Sequence, residues 1–248
     1  VDEADNSDPA VGEPAGGEPA PIRLLVVEDH AALGEALLVA FGFEAGIEPI
    51  GVAPTVVRAL EMVKADRPDV VLMDVRLPDG SGLDAAAQVV SLRPGTAVVI
   101  MTAHADHQTA LQAADAGAAG FILKDVRMAK IVAGVRRAVA GEPAIDPTML
   151  QSILTRAALD GPAAGTAPAR VPELPADERT LIELMAQAVD GSAIATALGM
   201  SEDGITDLTI SVRERLGARS AMEALVRAAR IGLLPGPDQD SRARISSR

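Results

Sequence analysis

Val70-Val71-Leu72-Met73-Asp74-Val75-Arg76-Leu77-Pro78-Asp79-Gly80-Ser81-Gly82 is the stretch that decides the fold. Its apolar run has no polar alternation and reads as a strand covered on both faces; the Pro/Gly-rich segment after Asp74 reads as a turn. A carboxylate therefore stands at the carboxyl end of a central strand. In an open α/β sheet, ligands and chemistry gather at that end.

Toward the amino terminus, residues 22–27 form a second apolar run, broken by Glu28-Asp29-His30, and Leu33, Leu37, Leu38 and Phe41 then recur at helical spacing. Residues 47–52 are a weaker strand. Pro54 and Thr55 lead from it into a helix carrying Val57, Leu60, Met62 and Val63, which Asp66-Arg67-Pro68 stops. Beyond the turn, the alternation continues as helix 83–92, strand 97–101, helix 109–116, strand 119–123 and helix 126–140. Five strands, each followed by a helix, specify a (βα)5 doubly wound parallel sheet with right-handed crossovers.

The chain has 248 residues, enough for two modest domains. It is 48% hydrophobic but contains three Phe and neither Trp nor Tyr, so its cores must be aliphatic and stacking platforms for bases are not expected. The absence of Cys excludes disulfides, thiolate metal sites and a Cys nucleophile. No apolar run approaches membrane-spanning length and the acidic start lacks a signal-peptide pattern, so a cytoplasmic protein with no membrane partner is expected. The net charge of -13 argues against indiscriminate nucleic-acid binding.

Five segments follow. Residues 1–21 carry Asp2, Glu3, Asp5, Asp8, Glu13 and Glu18 without a basic residue and read as a disordered acidic tail. Residues 22–143 are the α/β domain, and 144–170 a linker with a short helix near 149–159 and a flexible Gly/Pro/Ala stretch. Residues 171–236 are a small all-α domain of four helices, near 177–189, 193–198, 202–216 and 221–233. Gly199-Met200-Ser201 gives the second and third of these the spacing of a helix-turn-helix. Residues 237–248 read as a flexible tail.

In the doubly wound sheet, Glu28, Asp29, Asp74, Thr102 and Lys124 lie just past the ends of four strands. Three converging carboxylates repel one another unless a cation lies between them, and hard oxygen ligands suit Mg2+. Asp74 is the natural nucleophile toward phosphorus, Lys124 a point charge for a phosphoryl oxygen and Thr102 a hydrogen-bonding hydroxyl that can be drawn inward. His30, His104 and His107 flank these loops without metal-ligand spacing and are expected to be exposed.

These residues carry a resemblance. Residues 22–142 resemble a response-regulator receiver domain through Val26-Val27-Glu28-Asp29-His30, the stretch from Val71 to Gly82, Met101-Thr102-Ala103 and the run from Gly117 to Asp125. The resemblance implies phosphorylation of Asp74 by a sensor histidine kinase. It also implies Mg2+ held by Asp29, Asp74 and the backbone carbonyl of Arg76, with Glu28 assisting through water. Phe121 is implied as the aromatic that swings inward with Thr102; as a lone aromatic it reads equally well as core. The protein is then a phosphoacceptor rather than an enzyme, capable at most of self-phosphorylation from small donors and autodephosphorylation. Haloacid-dehalogenase-like phosphatases also use an Asp after a strand, but the position of their second, proton-donating Asp is Arg76 here.

Residues 174–235 resemble the NarL/FixJ (LuxR-type) DNA-binding domain through Ala193-Ile194-Ala195, Leu198-Gly199-Met200-Ser201, Ile205, Val212 and Arg215-Leu216-Gly217-Ala218-Arg219-Ser220. That family implies a recognition helix in the major groove, regulation of transcription, and a homodimer on phosphorylation. The contact positions depart from the pattern: Thr206 and Leu208 replace polar readers, Asp177-Glu178 replaces Arg-Glu, and Ser192 replaces Lys. Six arginines face ten carboxylates over 171–236. Thr206, Arg213, Arg215 and Arg219 remain the candidates for DNA contact. The alternative is a phosphorylation-controlled protein-interaction module whose helix-turn-helix no longer binds DNA on its own.

Overall fold

The computed structural model describes residues 20–161 and 171–234. The acidic tail apart from its last two residues, the Gly/Pro-rich part of the linker and the terminal tail lie outside the described residues.

The chain begins β1 (Ile22–Val27), α1 (Ala31–Gly42), β2 (Ile47–Ala53), α2 (Val56–Asp66) and β3 (Val70–Asp74). A hairpin of two-residue strands, β4 (Arg76–Leu77) and β5 (Gly80–Ser81), follows Asp74 and leads into α3 (Gly82–Leu92). Then come β6 (Ala97–Thr102), α4 (His107–Asp115), β7 (Gly120–Leu123) and α5 (Met128–Val139). The main sheet is parallel in the order β2-β1-β3-β6-β7, with a sixth strand, β8 (Ala144–Ile145), on its edge. Winding reverses between β1 and β3, so a crevice opens beyond their carboxyl ends.

Each strand of this sheet feeds two cores. Leu25, Val27, Val71, Met73, Val98 and Ile100 face one, and Leu24, Val26, Val70, Leu72, Val99 and Met101 the other. Burial on both faces is why these strands read as unbroken apolar runs rather than alternating ones. The scarcity of aromatics is met by alanine: Ala85, Ala86, Ala110, Ala113 and Ala114 are buried and let α3 and α4 approach the sheet closely. Gly120 is required by packing, because a Cβ there would lie 2.5 Å from the Ala144 carbonyl oxygen, where β8 pairs with β7.

The expected sheet has five strands and the observed one six. β8 is two residues long and leaves no periodic trace. The stretch read as connector also holds a full helix, α6 (Pro147–Asp160), capped by the Asp146 carboxylate and started by Pro147.

After the linker come α7 (Ala176–Ala186), α8 (Gly191–Leu198), α9 (Glu202–Leu216) and α10 (Ala221–Arg230). Gly199, at φ 65°, ends α8 in the left-handed conformation, and the Ser201 hydroxyl caps α9 by accepting from Gly204 N at 3.2 Å. α10 is buried nearly all round: Ala221, Met222, Ala224, Leu225, Val226, Ala228 and Ala229 are covered, as is Glu223. One side packs on α7 and α9, the other on α6 and α4. The aliphatic core of the α/β domain is therefore continuous with that of the helical domain.

Candidate functional site: an acidic crevice and a helix-turn-helix

β1 and β3 are neighbours in register, Val27 opposite Met73, so Glu28 and Asp74 emerge side by side at the switch point. Glu28 is 1% exposed and Asp74 8%, while Asp29 is open to solvent. Each of the three offers a carboxylate oxygen within 4.8 Å of the others. Thr102 ends β6 beside them and Lys124 follows β7, its backbone N donating to the Thr102 carbonyl at 2.8 Å.

The Lys124 ammonium bridges two of the carboxylates, donating to Glu28 Oε2 at 2.6 Å and Asp74 Oδ2 at 2.7 Å. Burial pushes this lysine down, but its hydrogen bonds to Asp74 and Glu28 and their negative charges outweigh that and hold it above the ordinary lysine range. One positive charge against three negative ones leaves the crevice attractive to a further cation.

The turn after Asp74 is shaped by close backbone approach. Gly82 N donates to the Val75 carbonyl at 2.8 Å, and a Cβ on Gly82 would fall 1.8 Å from the Asp74 carbonyl oxygen. Only glycine fits there. Asp79, in the same turn, faces away: its carboxylate accepts from Val56 N at 2.8 Å and Val57 N at 3.1 Å, capping α2, and these bonds hold its pKa below the ordinary value. Arg76 opens the hairpin two residues after Asp74, with its side chain exposed. Phe121 is buried between the neighbouring strands, opposite Ile100 and Ile145. The Thr102 hydroxyl accepts from His104 N at 3.3 Å. His30, His104 and His107 are all exposed.

In the helical domain the structure places Thr206 on the exposed side of α9 with Glu202, Asp203, Asp207, Ile210 and Glu214. The arginines expected beside it are engaged internally. Arg215 Nε donates to Glu178 Oε1 at 3.0 Å, and Glu178 is itself buried. Arg219 Nε and Arg227 Nη2 both donate to Glu223, at 3.1 and 2.7 Å, and Glu223 is 1% exposed. Arg213 lies half-buried with Nη2 on the Arg219 carbonyl; burial lowers its pKa against the opposing pull of Glu223 and Glu214.

Residues that sequence reasoning did not single out join the two domains. Arg230 of α10 forms a two-pronged ion pair with Asp115 at the end of α4, its Nη2 lying 2.9 Å from Oδ2. The Ser220 hydroxyl donates to the Ala118 carbonyl at 2.7 Å, and Gly191 N, at the start of α8, donates to Glu142 Oε1 at 3.0 Å. These partners are 49 to 115 residues apart in sequence, and no local pattern could have paired them.

Comparison with known proteins agrees with this architecture. The profile of the response regulator receiver domain matches residues 24–136. A probable transcriptional regulatory protein NarL of Mycobacterium tuberculosis is 30% identical over 217 residues, 88% of this chain and 98% of that protein. The DNA-binding transcriptional activator DevR/DosR of the same organism is 28% identical, over 84% of this chain and 94% of its own length. Among solved structures, a LuxR-family two-component response regulator from Aurantimonas sp. is 25% identical with a TM-score of 0.51, covering 55% of this chain and 98% of that one. Fold and site thus define a response-regulator receiver carrying a helical output domain. The chain belongs to the NarL-type, LuxR-family response regulators. Among the described residues no helix is long and apolar enough to cross a membrane.

Proposed function

We propose that this protein is a cytoplasmic response regulator that accepts a phosphoryl group on Asp74 from a sensor histidine kinase and transmits that event to its helical domain to regulate transcription. The observation that carries the reading is the bridging of Asp74 and Glu28 by the Lys124 ammonium, beside the exposed Asp29 carboxylate. In the transfer, an Asp74 carboxylate oxygen attacks phosphorus as the phosphorus–nitrogen bond to the kinase histidine breaks, leaving an acyl phosphate on Asp74. Lys124 then exchanges its bond to Asp74 for one to a phosphoryl oxygen, and the Thr102 hydroxyl turns to another, beside a Phe121 ring that is already buried.

The donor set is all hard oxygen, clustered within 4.8 Å, and suits Mg2+. Asp29, Asp74 and the Arg76 carbonyl would hold the ion, with Glu28 in support. When bound, it supplies charge neutralisation for the incoming phosphoryl oxygens. Acetyl phosphate with Mg2+ should label the wild type and leave Asp74→Ala unlabelled. Labelling of the variant at the wild-type rate would overturn the assignment.

For the output we propose sequence-selective DNA binding by a phosphorylation-promoted homodimer, through Thr206 and those of Arg213, Arg215 and Arg219 that domain separation frees. α10 packs on α4 and α6 and is tied to the receiver by Arg230–Asp115 and Ser220–Ala118, and separation would expose its apolar face for pairing with a second copy. A second reading is favoured by the acidic outer side of α9: recognition of a protein instead of DNA. Retention of genomic fragments with and without acetyl phosphate, at two salt concentrations, separates the two. Selective retention lost in Asp74→Ala supports DNA binding; no retention while Asp74 is still labelled supports the protein partner.

A further inference from the structure

An apolar cavity lies away from Asp74, at the open edge of the sheet. β8 pairs only with Gly120 and Phe121, and the chain then leaves the sheet at Asp146-Pro147 to begin α6. The edge of β7 beyond Phe121 has no strand beside it, and a cleft of about 510 Å³ opens there between α5 and the first turns of α6. Its volume falls in the range of small-molecule sites, and its walls are mainly apolar, including Phe121, Val126, Ala133, Ile145 and Met149.

The charged groups at this cleft are Lys130, Arg137 and Asp146, with His107, Thr148 and Ser152 as further polar side chains. Lys130 is exposed on α5 and paired with no carboxylate among the described residues, and His107 lies on the other side at the start of α4. Arg137 is tied to Glu142 at 3.0 Å. The one carboxylate in the lining, Asp146, is occupied in capping α6, accepting from Thr148 N at 2.9 Å. A ligand with an apolar body and one negative head group satisfies this surface; a neutral hydrocarbon leaves Lys130 unused, and a cation meets it head-on.

We infer that the cleft between α5 and α6 is a binding site for an amphipathic organic monoanion, of the carboxylate or sulfonate class, with its head group at Lys130 and its apolar body against Phe121 and Met149. Ala105 and His107, in the segment following Thr102, also line it. The occupant therefore touches Phe121 and the segment that Thr102 leads into, so its affinity is linked to the state of Asp74. That linkage rests on the proposed function; the binding does not. Linkage is reciprocal, so the occupant in turn biases phosphorylation.

The probes are 8-anilinonaphthalene-1-sulfonate, followed by its fluorescence on the full chain, and decanoate as competitor. Ala133→Trp fills the cleft from an exposed position and should abolish the signal; Lys130→Glu should weaken binding about tenfold, equivalent to about 1.4 kcal/mol. Phe43, an exposed phenylalanine outside the cleft lining, serves as control, and Phe43→Ser should leave binding unchanged. If thermal unfolding shows Ala133→Trp to be misfolded, Lys130→Glu decides alone. Absence of binding, or binding unmoved by both cleft variants, overturns the site. Beryllofluoride with Mg2+ should change the affinity at least threefold. No change while acetyl phosphate labels Asp74 removes the linkage, whereas binding that persists when Asp74 cannot be labelled removes the proposed function and keeps the site.

Discussion

The crevice beyond β1 and β3 and the surface of the helical domain use the same charged groups in opposite ways. In the crevice, three carboxylates meet one lysine, and the imbalance is left in place. In the helical domain, buried Glu178 and Glu223 absorb Arg215, Arg219 and Arg227, and Asp115 of the receiver absorbs Arg230. A site that must attract a cation keeps uncompensated negative charge. A surface that must attract phosphate needs uncompensated positive charge, and this one has its arginines bound to protein. Similar residues thus leave net negative charge in the crevice and neutralise the arginines of the helical domain.

The hardest blow to the first half of that comparison is Asp74→Asn, which removes the proposed nucleophile; labelling by acetyl phosphate should disappear. Lys124→Met should follow. It deletes the one counter-charge to Asp74 and Glu28, so labelling should slow at least about tenfold, the scale of one charge-assisted contact. If Mg2+ binds as proposed it acts on the same carboxylates as the lysine, and it should then raise the melting temperature of this variant more than that of the wild type. Equal increments would mean that Lys124 does not offset the carboxylates as proposed.

The output half can be sharpened by adding the missing charge. Asp203→Lys with Asp207→Lys on the exposed side of α9 should strengthen DNA binding and steepen its salt dependence by about one unit per added cation. An unchanged slope would assign that side of α9 to a protein partner. Arg230→Ala breaks one of the ties between the halves. The pair is partly exposed, so the cost should be about 1 kcal/mol, seen as roughly fivefold faster hydrogen exchange in α10. Exchanging the two charges, Asp115→Arg with Arg230→Asp, should recover part of it.

The smallest effect is alkaline. Lys124 lies above its unfolded value, so its stabilisation is fully present below the ordinary lysine pKa and is lost as pH rises through the raised one. Stability above about pH 10 should therefore fall more steeply in the wild type than in Lys124→Met, which chemical denaturation across that range would measure.

Much of the receiver was legible in the chain because its signals are local. Buried parallel strands write themselves as apolar runs, and the crevice residues follow those runs directly, so naming the strand ends also named Glu28, Asp29, Asp74, Thr102 and Lys124. The Gly82 requirement was visible as a glycine-rich turn, although its cause, contact with the Asp74 carbonyl, was not. In the output domain the turn chemistry of Gly199 and Ser201 was equally plain.

What the sequence determined by itself was the order of helices and strands and the residues at their ends, since hydrophobic period and capping act over a few residues. Only the tertiary structure decided which charges cancel. Arg215 reaches Glu178 across 37 positions and Arg230 reaches Asp115 across 115. The amphipathic α6, packed on α4, α7 and α10, brings the two domains together through shape, and Coulomb energy depends on distance in space rather than along the chain.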